Sequence, residues 1–289
     1  MLNTPFTPMI LKKADKVPTS PNYIHQYKWD GHRLLFHYNQ GKIKLFTREM
    51  NECTLQYPEL HLISLPVENC ILDGECIVLD PSTNPPVPCF ESVMTRFKAS
   101  REITIKRYME SLPVHFVVWD IVFLNGKKVA HMELSERLKV LDEIVLPNNM
   151  ISITPSFEDG EALFKAIVEI GGEGVVSKPK NSRYRFGSCS DHNAWLKTKN
   201  YQYEDVYIGA IQKKKFGWSL LLNNKYVGVL EFPPSNKQIA SEFYKLAKKY
   251  VYKETKDWIF LEPVLRCKVK FQSYTKDGKL RSPSFVEFV

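Results

Sequence analysis

The chain has 289 residues, of which 44% are hydrophobic and 25% charged, enough for one large or two moderate domains with proper cores. No apolar run reaches the roughly 18 residues that a membrane span needs, and the Pro- and Lys-containing start lacks the apolar h-region of a secretory signal, so a cytoplasmic protein with no membrane partner is expected. The six cysteines form no C-x-x-C pair, which argues against a finger- or ribbon-type zinc site and fits a reducing compartment.

Residues 1–22 are rich in Pro and Thr and read as an extended lead-in. Strands are expected at residues 32–38, 42–46, 70–79 and 115–124, where Val, Ile, Leu and aromatics are separated by turn residues such as Asn39-Gln40-Gly41. Four prolines between Pro81 and Pro88 mark a loop. Helices are expected at 133–145 and 159–170, the second with Asp159 as N-cap and Gly171-Gly172 as its stop. A further helix is expected over 90–109. After Lys199 the pattern changes to short strands at 206–211, 218–222, 226–232 and 268–273, interrupted by one amphipathic helix at 236–250. That pattern predicts a small β-barrel of the OB type, with a domain boundary near Asn200.

The net charge is +8, and it is unevenly spread. Residues 1–200 hold 24 Lys+Arg against 23 Asp+Glu, a balance of +1, while residues 201–289 hold 16 against 9, a balance of +7. A basic module joined to a neutral one points to a polyanionic partner.

Five short motifs carry the chemistry. Lys28 opens the first, Lys28-Trp29-Asp30-Gly31-His32-Arg33, at a point where a helix or loop is expected to give way to a strand. Asp73-Gly74-Glu75 and Trp119-Asp120-Ile121 lie in strand-like runs, Glu173-Gly174-Val175-Val176-Ser177-Lys178 follows a helix, and Trp195-Leu196-Lys197-Thr198-Lys199 closes the first domain. A lysine amine attacks phosphorus only when neutral, and nearby positive charge favours that form. Arg33, Arg48, Lys178, Lys197 and Lys199 are the candidate cations, and the same groups would stabilise charge on a phosphate in transfer. Lys197 and Lys199, two apart in a strand, point to one side and make a phosphate clamp. Mg²⁺ (or Mn²⁺) takes one or two carboxylates together with phosphate oxygens and water, and Glu75 and Glu173 are the candidates. Trp119 admits a second reading as a core aromatic.

The order and spacing of these motifs resemble the ATP-dependent DNA ligases, a nucleotidyltransferase family that also includes RNA ligases and mRNA capping enzymes. Thr7-Pro8-Met9 and Gly228-Val229-Leu230-Glu231-Phe232 look most like the small bacterial and phage ligases and the ligase module of the bacterial end-joining enzyme. The resemblance covers essentially the whole chain. It implies an α+β fold of two domains, an antiparallel-sheet-rich adenylation (nucleotidyltransferase) domain at 1–200 and an OB-fold barrel at 201–289, acting as a monomer. It implies ATP as AMP donor, Mg²⁺ as Lewis acid, and nicked double-stranded DNA as partner. Lys28 would take AMP from ATP, pass it to the 5′-phosphate of a nick, and leave that phosphate open to the 3′-hydroxyl. By the same resemblance Trp119 stacks on adenine with Val176 on its other face, and Gln26 reads the adenine amino group. Arg33 holds the nucleotide, Glu75 meets the ribose or a metal, Glu173 holds the metal, and Arg48 and Arg281 contact DNA.

The chain departs from the pattern in three places. Family members usually have Gly or Asn just after the Arg that Arg48 matches, and here Glu49 follows. A Lys-Arg pair commonly precedes Trp195, and here Ser188-Cys189-Ser190-Asp191-His192 stands there, so the phosphate contact is either missing or supplied by Arg183 or Arg185. Leu280-Arg281-Ser282-Pro283-Ser284-Phe285 begins the last motif without its R-x-D-K continuation, so slow self-adenylylation is expected, with Arg281 left to orient pyrophosphate. With no DNA-binding domain ahead of the motifs, grip on DNA is expected from the basic module and the domain cleft. Two alternatives stand: an RNA ligase or capping-type enzyme, and a nick-binding protein with weak catalysis.

Overall fold

The computed structural model describes residues 1–187, 193–232, 234 and 236–289. The departure at 188–192 therefore lies outside the described residues. The chain divides into two compact units, Met1–Lys199 and Asn200–Val289.

The first unit is built on two sheets. One runs in the order Lys12–Lys13, Leu196–Lys199, Gly174–Pro179, Tyr23–Tyr27, Ser156–Phe157. The other runs Ile151–Ile153, His115–Leu124, Asn69–Ile77, His32–Asn39, Lys42–Thr47, with Lys127–Lys128 added beside His115–Leu124. All pairings are antiparallel except Lys12–Lys13 on Leu196–Lys199 and Ile151–Ile153 on His115–Leu124. The period-2 alternation of a strand sorts side chains between two cores. In Asn69–Ile77, Cys70, Leu72 and Cys76 enter the larger core, while Ile71 enters a core that also contains Ile24 and Val176 of the other sheet. The two sheets therefore face each other, and Asp73 and Glu75 share the inward face of Ile71.

Helix Gly160–Glu169 covers the far side of the first sheet through Ile167 against Val175. Asp159 caps it as expected, accepting from the Ala162 backbone N–H at 2.9 Å, and Gly171 stops it at φ +71°. Helix Leu134–Ile144 begins with a reciprocal capping box between Glu133 and Glu136. The single helix expected over 90–109 is two helices, Phe90–Lys98 and Glu102–Ser111. Ala99 is extended between them, and the buried Arg96 ties them together by donating from Nη1 to the Ile105 carbonyl at 3.2 Å. Lys28 follows a strand, Tyr23–Tyr27, instead of the expected helix or loop. The polar pair His25-Gln26 hides that strand from a hydrophobicity pattern, although both residues are buried.

Among its described residues the second unit is a seven-stranded antiparallel sheet with one α-helix. Its long strand, Gln202–Gln212, pairs with Arg266–Phe271 along one stretch and with Trp258–Leu261 along another, while Trp218–Leu222 lies on its other side. The Leu280 backbone N–H donates to the Val227 carbonyl at 2.7 Å, linking the end of the chain to strand Lys225–Leu230. Helix Lys237–Ala247 packs Phe243 against Trp218, with ring centroids 4.2 Å apart, and Phe288 stacks on Phe243 at 5.4 Å. The expected helix over 236–250 ends sooner, in a 3₁₀ turn at Lys248–Tyr250. Strands Val251–Glu254, Trp258–Leu261 and Ser284–Phe288 have no counterpart among the expected ones. Among the described residues no helix is long and apolar enough to cross a membrane.

Candidate active site

The facing sheets of the first unit open into a pocket of about 480 Å³. Gln26, Lys28, Arg33, Arg48, Glu75, Trp119, Val176, Lys178, Lys197 and Lys199 all line it. The ladder of the first sheet explains this convergence. Gln26 pairs with Val176, and Val176 pairs with Lys197, so these three stand in one row across the strands. One pleat further on, Gly174 pairs with Lys199 and accepts the backbone N–H of Lys28 at 2.8 Å. Gly174 takes φ +143°, and a Cβ there would stand 2.2 Å from the Thr198 carbonyl oxygen. Only glycine lets the strand carrying Lys197 and Lys199 come so close.

Lys28 Nζ lies 2.6 Å from Glu173 Oε2, and Lys199 Nζ lies 3.1 Å from the other oxygen. Burial disfavours the charge of Glu173, but Lys28 and Lys199 outweigh it and hold the carboxyl below its ordinary range. The nucleophilic amine and one clamp lysine are thus held by a single carboxylate.

The opposite wall is formed by Arg33, Glu75 and Trp119. Arg33 and Glu75 are register partners on adjacent strands. Arg33 is fixed by Asp73, with Nε to Oδ1 at 2.8 Å, by the Met9 carbonyl at 2.7 Å, and by its place 5.4 Å from the Trp119 ring centroid. Tyr184 donates to the same Asp73 at 2.7 Å. Glu75 is half-buried, and loss of solvent pushes its carboxyl up to about 8 against the pull of Lys28. Lys178 is enclosed, 4.0 Å from the Trp195 ring centroid and 5.7 Å from that of Trp119, and burial brings its amine down to about 7. Lys197 is lowered too, by burial first and then by Lys199, Lys28 and Arg48. Trp119 is only partly in the core, and its ring N–H has no partner among the described residues.

Arg48 is exposed on the turn after Lys42–Thr47, where Met50 holds φ +67°, a conformation that Gly or Asn adopts at lower cost. Arg281 belongs to the second unit, where its backbone N–H donates to the Ser273 carbonyl at 2.9 Å. Among the described residues, no three His, Cys, Asp or Glu side chains gather as a metal cluster.

Sequence reading left several residues of the site without a role. Asp73 stands two positions before Glu75, and same-face spacing along a strand was the signal for it. Phe90, Met94 and Phe97 of one helix, beside His32 of strand His32–Asn39, also line the pocket, and beforehand the first three were visible only as part of the helix expected over 90–109. The fully buried pair Asp120–Arg137, with Nε to Oδ1 at 2.7 Å, braces strand His115–Leu124 against helix Leu134–Ile144. Ser156 bonds to Gln26 across 130 positions of sequence, and no local pattern announces it.

The ATP dependent DNA ligase domain matches residues 1–199 of this chain. The SPbeta prophage-derived DNA ligase-like protein LigB of Bacillus subtilis (strain 168) is 34% identical over 281 residues, covering 96% of this chain and 97% of that protein. The multifunctional non-homologous end joining DNA repair protein LigD of Mycobacterium tuberculosis (strain H37Rv) is 28% identical over 285 residues, and the match spans 89% of this chain but 35% of LigD. Among solved structures, mycobacterial DNA ligase D complexed with ATP and MES superposes with a TM-score of 0.58 at 22% identity, covering 98% of this chain and 95% of that one. A Lig E DNA ligase gives 0.66 at 19% identity, with 98% of each chain covered. These neighbours fix the architecture as a nucleotidyltransferase domain followed by an OB fold. The chain belongs to the family of ATP-dependent DNA ligases.

Proposed function

We propose that this DNA ligase seals nicks between a 5′-phosphate and a 3′-hydroxyl in duplex DNA through a covalent Lys28–AMP intermediate. The observation that carries the reading is Lys28 Nζ, held 2.6 Å from Glu173 in a pocket that also gathers Arg33, Arg48, Lys178, Lys197 and Lys199. The amine attacks the α-phosphorus of ATP, the bond to pyrophosphate breaks, and a phosphorus–nitrogen bond forms. Glu173 is the nearest acceptor for the amine's proton. A 5′-phosphate oxygen then attacks that phosphorus and releases Lys28, and the 3′-hydroxyl finally displaces AMP. Lys197 and Lys199 steady the phosphate charge as it shifts. Trp119 and Val176 take the two faces of the adenine, and Arg33 and Glu75 meet the sugar side. Arg48 and Arg281 contact the nicked DNA.

Glu75 and Glu173 suit a divalent cation. Two carboxyl groups, with Glu75 raised by burial first and also by the nearby charge of Glu173, match the partial ligand set that Mg²⁺ or Mn²⁺ completes with phosphate oxygens and water. When bound, the ion supplies Lewis-acid neutralisation of phosphate charge.

Incubation with α-labelled ATP and Mg²⁺, followed by peptide mass spectrometry, is expected to place AMP on Lys28, with no transfer in Lys28→Ala. Nicked duplex DNA should then be sealed and nicked RNA duplex should not. A labelled protein with Lys28 unmodified would end this mechanism. Sealing of RNA alone would move the enzyme to the RNA ligases.

A further inference from the structure

We infer that Ser156 is a positioning residue that fixes the side-chain amide of Gln26 and thereby sets the preference for adenine over guanine. This rests on reading the Lys28 pocket as the ATP site. Among the described residues that line the pocket, Gln26 is the only amide. A carboxylate only accepts hydrogen bonds and a lysine only donates them, but an amide does either according to which way it is turned. Adenine offers an amino donor at position 6, where guanine offers a carbonyl acceptor. An amide free to turn would therefore serve both bases, and Gln26 alone gives no basis for choosing ATP.

The structure supplies what fixes the choice. Ser156 pairs with Gln26 on the edge strand Ser156–Phe157, so the row across the sheet reads Lys197, Val176, Gln26, Ser156. Gln26 Nε2 donates to Ser156 Oγ at 3.0 Å. Gln26 is 1% exposed, so solvent does not compete for the donor that this bond occupies. A hydroxyl accepts as readily as it donates, and Ser156, itself exposed, can turn its own hydrogen to water while a lone pair meets the amide. With Nε2 engaged, Oε1 is the atom left for the base, and it suits an amino group.

The test is AMP and GMP transfer to the intact protein from labelled ATP and GTP in parallel, with thermal unfolding as a check on folding. Ser156→Ala should lower the ATP-to-GTP labelling ratio by about tenfold, and Ser156→Asp, an acceptor only, should keep it. Adding Gln26→Glu to Ser156→Ala replaces the two-way group with an acceptor and should restore the ratio, which loss of a merely structural bond would not allow. An unchanged ratio in Ser156→Ala overturns the inference, as does a fallen ratio that Gln26→Glu fails to restore. Failure of the unaltered protein to take label from ATP overturns the ligase mechanism, and this inference with it. Selective ATP labelling that survives Ser156→Ala removes only the role of Ser156.

Discussion

Lys178 is buried and Glu75 half-buried in the pocket wall, and their responses to pH run in opposite senses. Burial lowers Lys178 from 10.5 to about 7. Between those values the folded chain binds fewer protons than the unfolded one, so this residue makes stability rise with pH across that window. Below about pH 7 the folded protein carries the whole cost of an enclosed ammonium. Lys178→Met should therefore stabilise the protein by on the order of a few kcal/mol near pH 6, an advantage that shrinks towards pH 10 in urea titrations, while AMP transfer falls. Glu75 behaves inversely. Burial raises it from 4.5 to about 8, so the folded state binds more protons in that window and loses stability as pH climbs through it. Glu75→Gln should gain on the unaltered protein between about pH 5 and pH 8, again read from urea midpoints, although it transfers AMP poorly. At this scale much of the site was legible in the sequence. Lys28, Glu75, Glu173, Lys197 and Lys199 stand in short motifs, and two-residue spacing places Lys197 and Lys199 on one face. Ser156 and Tyr184 were not, because their partners Gln26 and Asp73 lie far away in sequence.

Among the elements, strand Gly174–Pro179 has the tightest tolerances. All six of its residues are buried, it lies between Tyr23–Tyr27 and Leu196–Lys199, and Gly174 cannot take a side chain. Gly174→Ala is expected to cost more than about 2 kcal/mol, seen as a lower denaturant midpoint, with lost AMP transfer because Lys28 and Lys199 flank that position. Asp159→Ala, at the exposed cap of helix Gly160–Glu169, should cost about 1 kcal/mol and leave AMP transfer largely intact. Strands of ordinary composition, such as His115–Leu124 and Trp218–Leu222, are visible in the sequence at their observed bounds. Gly174–Pro179 is not, since it begins with Gly, ends with Pro and carries Ser177 and Lys178 where apolar residues would mark a buried strand. Tyr23–Tyr27 is obscured in the same way. The polar residues that equip the pocket erase the pattern that would reveal the strands bearing them. The helix break at Ala99 was hidden differently, because it depends on Arg96 reaching Ile105 rather than on any Gly or Pro.

For the whole molecule, charge divides along the chain. Residues 201–289 carry 16 Lys+Arg against 9 Asp+Glu, and residues 1–200 are close to balanced. Some of that excess is already paired, as in Lys213–Glu254 at 2.7 Å and Lys214–Asp257 at 2.9 Å. Binding to nicked DNA is expected to weaken steeply with salt, and Lys28→Ala should leave that binding in place. Lys215→Glu, an exposed position in the run Lys213-Lys214-Lys215, should weaken binding and flatten the salt slope by about one unit if one phosphate contact is lost. AMP labelling in the absence of DNA should be unchanged. Filter binding over a series of salt concentrations reads both quantities.

The row Lys197, Val176, Gln26, Ser156 has a consequence for how this enzyme tolerates change. Its chemical groups are spaced by the pleat, so errors come in whole steps. Sliding one strand by a single residue would put Val175 and Ser177 where Val176 and Lys178 now face the pocket. Inserting one amino acid within Gly174–Pro179 should therefore silence the enzyme outright, whereas the same insertion in the loop between Pro81 and Pro88 leaves the ruler unmarked.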